Sequence, residues 1–349
     1  MPLPKPHRRL LFVDSQSEVA YDETSPGNPA HAIGGSEATL VRVAIGLAAD
    51  FTIDVVQHAR ATPHAGGGVN WQPWDQLDRL AAQADAIVIQ RHDALAPRLR
   101  RRNARARIVL WLHDWVDLDS APRGTSRAEL RALVYRMVGV TRVCVSPAHA
   151  ANIAEALQRD RLFPALFRPD IRVIYNPVVV LRPAPAPPVD RDRLLFASAP
   201  WKGIEQVLAA FAAVRAAIPS MQLFIASPAY DVADNAAAPE GVTFLGPLPQ
   251  DRLHAELAGA LCLFGPQAKV PETFGLVFAE AHALGTPALA HDFGAAVDLL
   301  SPEERLDARD LPAVVARIKA WRDGARPQVA ANPAFALDTI LTQWRALLA

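Results

Sequence analysis

The chain has 349 residues, 51% of them hydrophobic and 21% charged. That is the balance of a globular protein long enough for two domains of roughly 150 to 200 residues. Its 36 basic and 36 acidic residues cancel, which argues against a general nucleic-acid binder. Cys144 and Cys262 each sit in an apolar stretch and read as buried thiols of a reducing compartment, not a disulfide.

Taken in chain order, MPLPKPHRRLLFVDS carries basic residues but an apolar run of only about four, so it reads as a first strand and not a signal peptide. No apolar run approaches the ~18 residues of a membrane span. A cytoplasmic protein is expected, with room for peripheral contact at the inner membrane face. The long polar segment DSQSEVAYDETSPGNPAHA follows, as an acceptor-side or mobile loop would. In IGGSE, Gly34 and Gly35 permit a tight turn and Ser36 can cap the helix after it. RLLFV, TIDVV, AIVIQ, RIVLWL and RVCVS are apolar runs. They alternate with GSEATLVRVAIGLAA, PWDQLDRLAAQA, RAELRALVYRMV and PAHAANIAEALQR, whose apolar residues recur at helical spacing. Strand runs without polar alternation, separated by helices, indicate a parallel sheet covered on both faces. RLRRRNARAR is the one dense basic run; a solvated helix face plus loop is favoured over an anionic-lipid or phosphorylated-acceptor contact.

NPVVVLRPAPAPPVDRD, with its alternating Pro and Ala, favours an extended, semi-rigid linker and marks a domain boundary. Beyond it the alternation resumes: RLLFA, QLFIA, VTFLG, LCLFG and PALAH as strands, GIEQVLAAFAAVRAA, DRLHAELAG and FGLVFAEAHAL as helices. FALDTILTQWRALLA closes the chain as an amphipathic helix. The expected division is 1–178, a Pro-rich linker at 179–190, 191–333, and a C-terminal helix at 334–349 with room to pack back on the first domain. Two doubly wound sheets would face each other across an interdomain cleft at the carboxyl ends of their strands, where such folds bind ligands.

PETFGLVFAEAHALGTPALA poses the sharpest chemical question. A helix from Gly275 to Gly285 places Glu280 on an almost wholly apolar element, where a carboxylate must find donors. A ribose diol supplies two. Amides near Phe274, Gly275 and Leu276 would attract an anion such as a phosphate. Glu272 lies eight residues before Glu280, ~12 Å away if the segment were fully helical. A buried Glu paired with an arginine or backbone amide explains the spacing as well as a ligand does.

This segment resembles the double-Glu motif of retaining GT-B glycosyltransferases, glycosyltransferase family 4 (glycosyl transferases group 1). GVTFLGPLPQDRLHAELAGALCLFGP, WKGIEQVLAAFAAVRAAIP, IRVIYNPV and HAIGGSEATLVRVAIGLAADFTIDVV resemble the family's other segments, in the expected order over most of residues 9 to 300. The resemblance implies a GT-B fold of two Rossmann-like domains and a retaining, metal-independent hexosyl transfer without a cofactor. The donor would be a nucleotide-diphosphate sugar such as a UDP- or GDP-sugar. The acceptor would be a glycan or lipid-linked, in polysaccharide or cell-envelope glycan assembly, with no nucleic-acid partner.

By the same resemblance Glu280 would hold the donor ribose, Glu272 the transferred sugar, and Lys202 the donor phosphate. Thr273, Phe274, Gly275 and Leu276 would line the donor, with Gly34 and Gly35 contributing amides. His113, at the end of VLWLHDW, would approach the sugar and its leaving group; a core histidine bonded to backbone is the alternative. Asp114 and Ser36 fall on the acceptor side. The sequence departs from the family where a phosphate-clamping arginine is common: Phe196 and Ala197 stand at the matching Gly-Arg positions, which leaves backbone donors or Lys269 to substitute. DLD at 117–119 is rejected as a metal motif, and the histidines show no metal-ligand spacing. Two other readings remain: a sugar-nucleotide epimerase (or phosphorylase) of the same fold, and a non-catalytic nucleotide-sugar-binding protein.

Overall fold

A computed structural model describes residues 8–28, 33–118, 139–158, 170–228 and 238–349. The helix expected at 127–138, Asp119 of DLD, and residues 29–32 of the long loop lie outside the described residues. The chain divides into two compact units: residues 1–26, 35–177 and 337–349 in the first, residues 27–34 and 178–336 in the second. The C-terminal segment therefore groups with the first unit.

The first unit holds β1 (Arg8–Asp14), α1 (Gly35–Leu47), β2 (Phe51–Gln57), β3 (His64–Gly66), β4 (Val69–Pro73), α2 (Leu77–Gln83), β5 (Ala86–Gln90) and α3 (Leu95–Arg102). β6 (Arg107–Trp111), β7 (Val140–Cys144), α4 (Pro147–Gln158) and β8 (Ile171–Val173) follow. Its sheet runs β3-β4-β2-β1-β5-β6-β7-β8, parallel throughout except for the antiparallel β3–β4 pair. Side chains alternate between faces, so Leu11, Val13, Ile87, Ile89, Ile108 and Leu110 share one core with Leu77, Leu80 and Leu99 of α2 and α3. The final helix of the chain, α10 (Leu337–Leu348), packs in this unit. Trp344 stands edge-on to Trp111 at 4.7 Å, Leu341 lies against Gly46 of α1, and Arg345 pairs with Asp50 at 2.7 Å.

The second unit holds β9 (Asp190–Ala197), α5 (Ile204–Ala217), β10 (Gln222–Ala226), β11 (Val242–Gly246), α6 (Gln250–Gly259), β12 (Ala260–Gly265) and α7 (Leu276–Ala283). β13 (Ala288–His291), α8 (Ala296–Leu299), β14 (Arg305–Leu306) and α9 (Leu311–Ala320) complete it. The parallel sheet runs β11-β10-β9-β12-β13-β14. Leu194 and Phe196 enter one core with Val207, Phe211 and Val314 of α5 and α9. Leu195, between them in sequence, enters the other, with Leu257, Phe278 and Ala281 of α6 and α7. That reversal at each residue is what a strand covered by helices on both faces requires.

The described part of the long loop after β1, expected as an acceptor-side or mobile segment, is anchored at Tyr21. Tyr21 is fully buried, its ring is 6.2 Å from Trp71, and its hydroxyl donates to Asp14 at 2.8 Å. Arg60 bonds the Tyr21 carbonyl and Asp22. The basic run is the solvated face of α3 and the loop after it, with Arg98, Arg101, Arg102 and Arg105 exposed; Arg98 and Arg102 both reach Asp78, and Arg100 donates to the carbonyls of Ala104 and Ala106. No described helix is long and apolar enough to cross a membrane.

Candidate functional site

In the second unit, β9 stops at Ala197 and the chain makes a tight turn over Pro200–Lys202. Gly203 ends that turn with φ 115°, a backbone strained for any side chain. A Cβ there would lie 3.0 Å from the Cβ of Gln267 and 3.4 Å from that of Lys269, so the turn and the 266–270 loop are in contact. Buried Gln267 organises that loop. Its Oε1 accepts from the amides of Lys269 (2.8 Å) and Val270 (2.9 Å), and its Nε2 donates to the Val270 carbonyl (2.7 Å). Gln206 of α5 accepts from the Ala268 amide at 2.6 Å. The Lys269 side chain is exposed.

Glu272 follows this loop, and its Oε1 accepts from the Nζ of Lys202 at 2.7 Å, with the two side chains 19% and 25% exposed respectively. A second loop supports Glu272 from behind. The Ala295 amide donates to the Glu272 carbonyl at 2.8 Å. Gly294, at φ 56°, comes so close that a Cβ would stand 2.7 Å from the Pro271 Cβ and 2.9 Å from the Glu272 carbonyl oxygen. Phe274 is buried with its ring 5.1 Å from Phe335.

Gly275, at φ 77° and ψ 63°, caps α7. The first bonds of the helix run from the Phe278 and Ala279 amides to the Gly275 carbonyl, so the amides of Leu276 and Val277 precede the ladder, as an anion-binding helix start requires. At the other end Gly285 (φ 80°) closes the helix. Its amide bonds the His282 carbonyl, and the Thr286 amide reaches back to Ala281, a Schellman arrangement. Glu280 lies within α7, 8% exposed and flanked by buried Ala279 and Ala281.

Glu304 fixes the far end of the same helix. It is fully buried and accepts from His282 (2.7 Å), the Ala288 amide (2.9 Å), and both the amide and hydroxyl of Ser301. Burial works against its charge, but His282 and the backbone donors outweigh it and hold the carboxyl below its ordinary value.

In the first unit, polar residues close the strands at their carboxyl ends. Asp14, Gln57 and Gln90, the last residues of β1, β2 and β5, are fully buried. Arg91 follows β5 at φ 61°, a conformation costing a bulky residue roughly 1 to 3 kcal/mol. Its amide donates to the Trp111 carbonyl at 2.9 Å, and its Nη2 donates to Glu37 Oε1 at 2.6 Å. Glu37 is buried in the first turn of α1, where the helix dipole favours negative charge. Burial opposes the Arg91 charge, yet Glu37, Asp14 and Asp114 raise its pKa above the ordinary value. Ser36, expected as the cap of α1, instead lies inside the first turn and donates its hydroxyl to Glu37 Oε2 at 2.9 Å; the helix already begins at Gly35. Gly34 ends the 27–34 segment that groups with the second unit.

His113 lies two residues beyond β6, its ring 4.9 Å from that of Trp111. Burial, then the nearby Arg91 and His149, push its pKa well below the ordinary imidazole value, so the ring is neutral near pH 7. Asp114 is exposed. Helix α4 grips this loop: fully buried His149 donates from Nε2 to the Asp114 carbonyl at 3.0 Å and accepts the Val145 amide on Nδ1. Burial brings His149 down to about 4, so the ring is neutral, and its two bonds set the tautomer. Asn152 pairs with both the amide and carbonyl of Val116 at 2.9 Å.

Sequence reading missed Glu37, Arg91, His149, Asn152, Gln267 and Gly294. The buried thiols are as expected: burial raises Cys144 to about 12 and Cys262 higher still. Among the described residues Asp22, Glu23 and His64 have side-chain ligand atoms within 4.8 Å of one another; Asp22 is engaged by Arg60 and Thr24, and His64 by Glu23.

Comparison with known proteins fits this picture. Residues 186–321 match the family model described as glycosyl transferases group 1. A phosphatidyl-myo-inositol mannosyltransferase of Propionibacterium freudenreichii subsp. shermanii is 35% identical over 107 residues, 31% of this chain and 26% of that protein. This chain thus aligns with about a quarter of that relative. Sucrose-phosphate synthase from Thermosynechococcus elongatus superposes with a TM-score of 0.63 at 17% identity, over 97% of this chain and 98% of that one. HepE of Anabaena, solved in complex with UDP and glucose, gives 0.63 at 16% identity over 98% and 99%. The fold of the chain is therefore GT-B, with two Rossmann-like units, and its residues 186–321 are similar to the glycosyl transferases group 1 model.

Proposed function

We propose that the protein is a retaining, metal-independent glycosyltransferase that moves a hexose from a nucleotide-diphosphate sugar to a glycan or lipid-linked acceptor. Its setting would be polysaccharide or envelope glycan assembly on the cytoplasmic side. The observation that carries this is the contact of Lys202 with Glu272 at 2.7 Å beside the glycine-capped start of α7. A cation, unladdered amides and a carboxylate within one small region suit the three parts of such a donor. Lys202 and the amides of Leu276 and Val277 offset the diphosphate charge that grows as the leaving group departs. Glu272 accepts hydroxyls of the transferred sugar, and Glu280 accepts the ribose diol. Exposed Lys269 takes the place of the arginine absent at Ala197. The capture of HepE with UDP and glucose supports a nucleotide donor.

In the first unit His113, as a neutral ring, is assigned to the transferred sugar, and Asp114 and Ser36 to the acceptor side; Gly34 and Gly35 add donor contacts. The anomeric centre passes through an oxocarbenium-like state. The acceptor oxygen attacks the face the diphosphate leaves, and a diphosphate oxygen takes the acceptor proton. The C–O bond to phosphate breaks as the new glycosidic bond forms. Nucleotide release from a UDP- and GDP-sugar panel, with a panel of glycan acceptors, tests this. Loss of release in Lys202→Ala and Glu272→Ala is expected, and unchanged turnover in both overturns the assignment. Epimerised sugar nucleotide formed without acceptor would select the epimerase reading instead.

A further inference from the structure

We infer that Arg91, paired with Glu37, is a positioning residue for the transfer reaction, setting the first turn of α1 and the His113 loop in fixed relation to each other. The inference rests on the proposed glycosyl transfer for its kinetic consequence, but its structural content stands on the first unit alone.

Three bonds define the device. The Arg91 amide holds the Trp111 carbonyl at 2.9 Å, at the last residue of the strand that delivers His113. The Arg91 guanidinium holds Glu37 Oε1 at 2.6 Å. The other oxygen of Glu37 accepts the Ser36 hydroxyl at 2.9 Å. One residue thereby ties two chain segments that each carry groups assigned to substrate. The Arg91 amide continues the parallel β5–β6 ladder past the Gln90–Trp111 pair, and its left-handed φ of 61° turns the chain that follows. Glycine or asparagine would adopt that backbone at lower cost; the arginine side chain adds the Glu37 contact there. Among the described residues the Nε of Arg91 is buried without a hydrogen-bond partner, which buried polar groups seldom are. Arg91 also faces His113: burial disfavours protonation of that ring most, and Arg91, then His149, disfavour it further.

Two variants and two readouts test this. Glu37→Gln and Arg91→Gln are compared with wild type for kcat and donor KM, and the His113 ring proton is followed by NMR against pH. The expected result is a fall in kcat of tenfold or more with donor KM within about threefold, since Lys202, Glu272 and Glu280 of the second unit are untouched and only the Gly34–Gly35 contacts with the donor can shift. In Arg91→Gln the His113 signal should titrate at higher pH than in wild type. The double variant, which replaces a buried ion pair with a buried amide pair, should lose no more than the worse single variant. Wild-type kcat in both single variants, or an unchanged His113 titration in Arg91→Gln, overturns the inference. Should the singles fold poorly, Arg91→Lys, which keeps the charge, is read by the same split, and wild-type kcat there overturns the fixed-geometry role. If wild type binds neither UDP nor GDP and releases no nucleotide, the functional reading fails; the His113 titration still decides whether Arg91 controls the loop.

Discussion

Lys202 and Glu272 satisfy each other in the free protein, and this leads to a result of unusual sign. A diphosphate reaching Lys202 must compete with a carboxylate already in contact at 2.7 Å, and must then sit near that negative charge. Glu272→Gln keeps the shape and a carbonyl acceptor but removes the charge. At the exposure of these side chains, 25% and 19%, an effective dielectric near 20 is appropriate; the bare Coulomb value is then reduced by solvent and salt. A relief of about 1 to 2 kcal/mol is reasonable, equal to roughly 5- to 30-fold in Kd. UDP and GDP should therefore bind Glu272→Gln more tightly than wild type, while turnover falls about 100-fold because the sugar loses its carboxylate contact. Isothermal titration calorimetry at low and high salt measures the first effect, which should shrink as salt rises, and nucleotide release measures the second. Equal or weaker nucleotide binding by Glu272→Gln would show that Lys202 does not exchange Glu272 for phosphate.

Glu280→Gln should weaken UDP binding about tenfold, or ~1.4 kcal/mol, yet leave inorganic pyrophosphate binding unchanged, because the ribose diol loses a charged acceptor while the phosphate contacts persist. Gly294→Ala should lower stability by roughly 1 to 3 kcal/mol in urea unfolding. Its Cβ meets Pro271 at 2.7 Å and Glu272 backbone at 2.9 Å, so nucleotide release should fall with it. Glu304→Gln tests linkage. The native pKa of Glu304 is depressed, so its contribution is present above the unfolded-state value of about 4.3 and is lost as pH falls through the lower native value. The variant should be less stable at pH 7, and its urea midpoint should depend less on pH than that of wild type within that window, between the unfolded-state and the lower native value.

The strands were legible where apolar runs continue without alternation: RLLFA at 193–197 and LCLFG at 261–265 fall within β9 and β12. The β3–β4 hairpin was not. Its first strand is three residues long, and Gly66, Gly67 and Gly68 read as loop; the alternating burial of VNWQP appears only once β4 is in place. The polar strand ends escaped for a related reason. Asp14, Gln57 and Gln90 look like the places where apolar runs stop, yet each is fully buried around Tyr21. In the second unit, Lys202, Glu272, Gly275 and Glu280 stood out as candidates because three of them lie in one short stretch and the fourth in a recognisable Lys-Gly step. Glu37 and Arg91 were not, since 54 residues separate them and no local spacing couples them. Gln267 and Gly294 act through backbone contacts, which residue type alone does not announce.

Two cation–carboxylate pairs thus occupy the polar regions of the two units, and their physical differences argue for different roles. Lys202 carries a point charge on a flexible stem, a quarter exposed, facing a carboxylate about as accessible. An incoming phosphate can replace that carboxylate at modest desolvation cost, so the pair is exchangeable. Glu37 is 8% exposed and at a helix start, and the side chain of Arg91 is 19% exposed. Its backbone is also committed to Trp111 at a strained φ. Breaking one partner of such a pair strands a buried charge, typically at roughly 3 to 5 kcal/mol. No ligand contact of ordinary strength recovers that. The first pair is built so that a donor phosphate of the proposed reaction could take the place of its carboxylate, whereas the second can only hold its neighbours in place.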